Sequence, residues 1–323
     1  MFGKETYLRR RAELKKLVGN GIIILFGNNE APYNYPANSY APMRQDSTFL
    51  YYFGQHRDGL VGIIDIDNDE EWLLGDDIDV EDIVWMGFTP TVSDLAAEVG
   101  ITKTAPMAKL KEIVNCKSSN CKLYHFLPPY RYDTKIQIMD LLGIQPSQQK
   151  EQASLALIQA VVKMRAKKEP QEIEAIERAC EVGYKMHTTA QRLIRPGVTE
   201  RYIGGQVDGI ARSLAQGVSF ATIFSQHGEI MHGSPSDAKL EDGRLVLCDA
   251  GCELDDYCSD HTRTMPVNGL FTQRQLEIYR IVEECHDYVL EVAKPGVRYR
   301  DVHFAVCRLM TERLKELGLM KGD

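Results

Sequence analysis

The chain has 323 residues, with 44% hydrophobic and 26% charged side chains and a formal charge of −8. That composition excludes an intrinsically disordered chain, and the length allows about two domains of ~150 residues, each with a packed core. The acidic balance argues against a nucleic-acid partner and against binding to an anionic membrane surface.

The N-terminal segment lacks the apolar core of a secretory signal, and no stretch approaches the ~18 apolar residues of a membrane span, so no leader and no membrane association are expected. A first helix is predicted over Lys4–Leu17. Its basic run Arg9-Arg10-Arg11, interleaved with Glu5 and Glu13, reads as a solvated helix face. The run Gly21-Ile22-Ile23-Ile24-Leu25-Phe26 reads as a buried strand, with further strands at Phe49–Phe53 and Gly59–Ile66 and an acidic turn at Asp67-Asn68-Asp69-Glu70. Helices are predicted near Ser93–Val99 and Tyr132–Leu142. Together these form an α/β domain over residues 1–155, with the polar stretch Ser147–Gln152 at its boundary.

The second region, 156–323, has a different rhythm. A helix opens at Glu169-Pro170-Gln171-Glu172 and runs to Leu193, with proline and acids in its first turn. Arg195-Pro196-Gly197-Val198 breaks it, and a second helix covers Glu200–Leu214. Strands follow near Ser219–Phe224, Arg244–Cys252 and Tyr257–Val267. A helix over Thr272–Val292, the break Lys294-Pro295-Gly296-Val297 and a last helix over Tyr299–Leu317 then repeat the earlier pattern. The first copy of this repeat is followed by a strand block. The second is followed only by Lys321-Gly322-Asp323, so this domain is expected to be C-terminally incomplete.

The strand block carries the main chemical signal. The apolar run Leu245-Val246-Leu247-Cys248 ends in Asp249, and a short polar turn leads to Asp260. A hairpin centred on Leu254-Asp255 would set Asp249 directly opposite Asp260, at a Cβ separation of ~5 Å. Two semi-buried carboxylates at that distance call for a shared proton or a cation between them, whereas on an exposed edge they would be idle. Upstream, His227 and His232 fit a loop feeding a strand, where either could ligate a metal, move a proton or orient a carbonyl.

Other patterns carry less. Asp65, Asp67 and Asp69 mimic the start of a calcium loop, but Glu70 stands where that loop needs glycine. Gly204, Gly205 and Gly209 lie inside a helical pattern and make no dinucleotide fingerprint. There is no G-x-S-x-G, Walker A or paired C-x-x-C. The eight cysteines are scattered, which reads as reduced thiols in a cytoplasmic protein.

The runs Asp249-Ala250-Gly251-Cys252-Glu253 and Asp260-x-Thr262-Arg263-Thr264-x-Pro266-Val267-Asn268-Gly269 resemble the signature of the aminopeptidase P / prolidase family, the pita-bread metallopeptidases, and within it the bacterial Xaa-Pro aminopeptidases. Met43-Arg44-Gln45-Asp46-Ser47-x-Phe49-x-Tyr51-x-x-Gly54 is similar to the family's creatinase-like N-domain motif, and Lys163-Met164-Arg165-x-x-Lys168-x-x-x-Glu172-Ile173 to its domain junction. The resemblance implies an α/β N-terminal domain followed by an α+β pita-bread catalytic domain, of which only the first part is present. It further implies Asp249 as a terminal ligand of one divalent ion, Asp260 as a bridge between two, and His232 as a catalytic residue that contacts substrate and assists proton movement. Manganese would be the metal, although the family's remaining histidine and two glutamates have no counterpart in this chain. The implied reaction is hydrolysis, by metal-activated water, of the N-terminal residue from peptides with proline second. A homo-oligomer, dimer or tetramer, is implied as well. Two alternatives are an Xaa-Pro dipeptidase (prolidase) and a non-catalytic peptide-binding module of the same fold.

Overall fold

A computed structural model of the chain describes residues 2–35, 39, 43–115 and 123–322. Cys116 and Cys121 lie outside the described residues. Packing divides the chain into two compact units, Met1–Arg178 with Glu253–Cys258, and Ala179–Cys252 with Ser259–Asp323.

The first unit runs α1 (Lys4–Val18), β1 (Ile22–Phe26), α2 (Ser47–Phe53), β2 (Val61–Asp65), β3 (Glu70–Leu74), α3 (Val80–Met86), α4 (Val92–Glu98), β4 (Lys103–Ala105), α5 (Leu110–Asn115), β5 (Tyr124–His125), α6 (Tyr132–Leu142), α7 (Gln149–Gln152) and α8 (Leu155–Ala166). Its five strands form one sheet in the order β4-β3-β2-β1-β5. The sheet is covered on both faces, which is why β1 reads as an unbroken apolar run. Ile23, Leu25, Ile64 and Leu73 pack with Leu14, Phe49, Leu95 and Leu157. Ile22, Ile24, Val61 and Leu74 pack with Leu110, Val114 and Leu141 on the other face.

Two expectations fail here. Phe49–Phe53, predicted as a strand, is the helix α2. Its aromatic composition favours a strand, but its ends decide otherwise. Asp46 caps the first turn by accepting from the Thr48 and Phe49 amides at 2.9 and 2.8 Å, and Gly54 ends the helix in the left-handed region at φ 60°. The basic run of α1 is not a solvated face either. Arg10 and Arg11 are 1% and 0% exposed. Arg10 donates to the Tyr51 carbonyl at 3.1 Å and Arg11 to the Tyr52 carbonyl at 2.9 Å, so two guanidinium groups close the C-terminal end of α2, where its dipole is negative.

The chain continues through α9 (Pro170–Leu193) into α10 (Glu200–Leu214), β6 (Gly217–Val218), β7 (Ile223–Ser225), β8 (Leu245–Ala250), β9 (Cys252–Leu254), β10 (Tyr257–Cys258), β11 (His261–Pro266), α11 (Gln273–Val292) and α12 (Tyr299–Glu316). The predicted repeat is real in three dimensions. Gly197 and Gly296 turn α9 into α10 and α11 into α12 at φ 87° and 91°, each after a proline, which suits the third residue of a tight turn. β7, β8 and β11 form an antiparallel sheet with β8 in the middle.

The hairpin register also differs from expectation. Asp255 and Asp256 occupy the two turn positions at φ 51° and 69°, the conformation of a two-residue mirror-image turn. The centre therefore falls one residue later than predicted. Tyr257 pairs with Leu254, and Asp249 faces Thr262 instead of Asp260.

At Gly251 the two strands approach so closely that an added Cβ would land on the Ser259 carbonyl oxygen and within 2.6 Å of the Ser219 hydroxyl. Gly251→Ala is therefore expected to destabilise the protein by about 1–3 kcal/mol. A chemical-denaturation midpoint equal to that of the unsubstituted chain would refute the close approach.

Among the described residues no helix is long and apolar enough to cross a membrane, and Cys248, Cys285 and Cys307 are free thiols.

Candidate active site

β8 alternates half-buried and buried residues, with Val246, Cys248 and Ala250 wholly buried on one side. Leu247 and Asp249 therefore share the opposite side, and Asp249 sits in the central strand between Ile223 of β7 and Thr262 of β11. Asp260 immediately precedes β11, two residues before Thr262. This diagonal relation keeps the two carboxylates on one side of the ladder.

The electrostatics of Asp249 register that neighbour. Burial pushes its carboxyl up, the facing Thr262 hydroxyl pulls it down, and the adjacent Asp260 carboxylate pushes it up again. Its Oδ1 is buried with no hydrogen-bond partner. A buried, orphaned carboxylate oxygen beside a second carboxylate suits part of an oxygen donor set for a hard divalent cation. The two residues fit such an ion as donors but do not complete its shell. Among the described residues no group of three or more His, Cys, Asp or Glu is placed to hold a metal ion. The neighbouring Cys248 thiol is pushed up to about 12 by burial, with Asp249 adding to the effect, so it stays protonated and is no nucleophile at neutral pH.

His232 is exposed in the loop between β7 and β8. His227, in the same loop, faces Glu229 at 3.0 Å. What gives the loop its shape is Glu200, at the start of α10 and 2% exposed. Its carboxylate accepts from the Ser225 hydroxyl at 3.0 Å and the Gln226 amide at 2.9 Å on one side of the loop. On the other side it accepts from the Ser236 amide and hydroxyl at 3.2 and 2.6 Å. Burial pushes the Glu200 carboxyl up, but the bonds from Ser236, Gln226 and Ser225 outweigh it and hold it below the usual range. Sequence reasoning passed over Glu200. Its one signal was an acid directly after the Thr199 cap, a position that reads as ordinary helix chemistry.

Behind β8 stands His187 of α9, 6% exposed, which sequence reasoning also passed over. Burial pushes its imidazole down, so the ring is neutral at pH 7 and can donate from Nε2 to the Ala250 carbonyl, 3.2 Å away. The His261 ring lies edge-on to it at 6.1 Å.

Residues 174–322 match Metallopeptidase family M24, and residues 7–124 match the Aminopeptidase P, N-terminal domain family. The chain is 30% identical to the Xaa-Pro aminopeptidase of Escherichia coli over 331 aligned positions, covering 99% of this chain and 75% of that protein. It covers about half of the length of several fungal relatives. The whole chain superposes on the aminopeptidase PepP of Pseudomonas aeruginosa with a TM-score of 0.87 at 27% identity, covering 75% of that chain. It superposes equally on a zinc-substituted E. coli aminopeptidase P in complex with product, with a TM-score of 0.86 at 28% identity, covering 76% of that chain. The expected architecture, an aminopeptidase P N-terminal domain joined to a pita-bread domain, is the one observed.

Proposed function

The chain belongs to the aminopeptidase P family of M24 metallopeptidases, and we propose that the protein it forms removes the N-terminal residue from peptides with proline in second position. The observation that carries this reading is the Asp249–Asp260 pair, one oxygen of which is buried without a partner. In this reading the domains divide at residue 155, and two manganese ions would be held by Asp249, as a ligand of one, and by Asp260, as a ligand shared by both. When bound, the ions would polarise the scissile carbonyl and activate a water near neutral pH.

The chain's own residues do the rest. Asp249 in β8 and Asp260 just before β11 would hold the ions from the two arms of one ladder. Thr262, facing Asp249, offsets part of the upward push that burial gives that carboxyl. His232, on the loop tied down by Glu200, is free to bind the substrate and to hold or pass a proton at its imidazole. A reducing, cytoplasmic setting is proposed from the scattered cysteines of the sequence. A dimer or tetramer is proposed with the family.

The test is release of the first residue from an Xaa-Pro-Xaa peptide by the protein as its own cell makes it, with Mn²⁺ and with a chelator. Xaa-Pro dipeptide and Xaa-Ala-Xaa peptide serve as comparisons. Chelator-sensitive cleavage of the Xaa-Pro-Xaa peptide is expected. Preference for the dipeptide would indicate a prolidase, and saturable binding without cleavage a peptide-binding module.

The 323 residues by themselves are expected to bind Mn²⁺ with a dissociation constant weaker than about 100 μM, because two carboxylates are few ligands for a hard cation. Calorimetry checks this, and stoichiometric tight binding accompanied by turnover would overturn it.

A further inference from the structure

We propose that His187 is a positioning residue for Asp249 and Asp260, fixing from behind the strand rung that lies between them. This rests on the reading of the two aspartates as the ion-holding pair.

The rung consists of Ala250, which follows Asp249, and its direct ladder partner His261, which follows Asp260. α9 presses on it through residues spaced four apart, one face of the helix. Ala179 accepts at its carbonyl from the Cys252 thiol at 3.4 Å. Gly183 leaves room for the other strand, since a Cβ there would sit 3.1 Å from both His261 Nδ1 and the Ser259 hydroxyl. His187 donates to the Ala250 carbonyl. One helix face therefore meets Ala250 beside Asp249, and both Ser259 and His261 around Asp260.

Of these contacts only that of His187 is a directional tie from a side chain of α9 to the backbone between the carboxylates. It is also the costly one. With Nε2–H donating, Nδ1 is a buried lone pair, and it has no partner. A phenylalanine would fill the same space without orphaning a polar atom. What the imidazole adds is a donor at a set distance from the strand backbone. Such supports matter because ligands displaced by ~1 Å lose metal affinity or rate by factors of 10–100.

The test compares His187→Phe, which keeps the ring and loses the donor, with His187→Gln, which restores a donor near the Nε2 position. It uses the protein as its own cell makes it. The first readout is Mn²⁺ affinity, from the electron paramagnetic resonance of free Mn²⁺. The second is amide hydrogen exchange at residues 249–251 and 260–262 in the metal-free state. His187→Phe should weaken Mn²⁺ binding about tenfold and speed exchange at the rung about tenfold, and His187→Gln should return both to within about threefold of the unsubstituted protein. Should His187→Phe not fold, His187→Met makes the same comparison.

Unchanged affinity and exchange in the donor-less variant would overturn the proposal. So would a His187→Gln variant no better than His187→Phe, because a space-filling role does not distinguish them. Asp249→Ala and Asp260→Ala are measured alongside. If they bind Mn²⁺ as well as the unsubstituted protein, the metal reading fails by itself, and the metal-free exchange still decides whether His187 holds the rung.

Discussion

Asp260→Ala is expected to abolish hydrolysis of an Xaa-Pro-Xaa peptide, lowering kcat/KM by about 1,000-fold or more, which corresponds to about 4 kcal/mol of transition-state stabilisation. Asp249 alone would be left to set the ions, and the diagonal pairing across the ladder is what places a second carboxylate on the same side. Asp260→Asn sharpens the result, because it keeps the shape and removes the charge. In the metal-free protein it should raise the thermal midpoint while removing activity. The sign follows from Asp249, whose folded-state carboxyl is raised, by burial first and by the Asp260 carboxylate as well. A raised carboxyl destabilises the fold above its folded-state pKa, so withdrawing one cause of the rise stabilises the metal-free protein near neutral pH. Activity and metal-free stability should thus move in opposite directions. A variant that keeps near-normal turnover would remove Asp260 from the site.

The sequence made the aspartate pair legible even though the hairpin register was misread, and strand geometry explains why. Side chains alternate with period two, so a one-residue slip would have put Asp249 and Asp260 on opposite sides of the sheet. The actual error moved the partner of Asp249 by two residues, from Asp260 to Thr262, and an even slip preserves the side. The misplaced turn had a readable cause. Aspartate tolerates the left-handed region better than most residues, and Asp255-Asp256 could have been recognised as the turn pair. The repeated Pro-Gly-Val breaks were legible because proline and glycine act locally, whatever packs around them. α2 was misread because the aromatic preference for strands outweighed its end signals, Asp46 and Gly54, in a segment too short to show periodicity. His187 left no pattern to find, and Glu200 left only that of an ordinary helix start. Each matters through a backbone group far away in sequence, the Ala250 carbonyl for one and the Ser236 amide for the other.

The basic run of α1 was the largest misreading, and it leads to the largest expected effect on stability. A charge run on a helix is normally solvated, since burying an unpaired guanidinium costs several kcal/mol. Here each charge has a place. Arg9 stays exposed and reaches Glu169 at 2.6 Å. Arg10 stacks on the Tyr51 ring at 3.8 Å. Arg11, fully buried, donates to Glu71 at 2.6 Å and to the Tyr52 and Val99 carbonyls at 2.9 and 2.7 Å. It thereby joins α1 to the ends of α2 and α4 and to β3.

Arg11→Met should cost about 3–5 kcal/mol of stability, read as a fall in the urea midpoint, while Arg9→Ala should change it by less than about 1 kcal/mol. Glu71 would not be stranded by the loss of Arg11, because Lys15 also reaches it, at 2.9 Å. The cost therefore falls mainly on the two carbonyls left without a donor. Adding Glu71→Gln to Arg11→Met separates the two contributions. If the carbonyls dominate, the double variant recovers less than about 1 kcal/mol. Full recovery would instead identify the buried charge of Glu71 as the group that Arg11 serves.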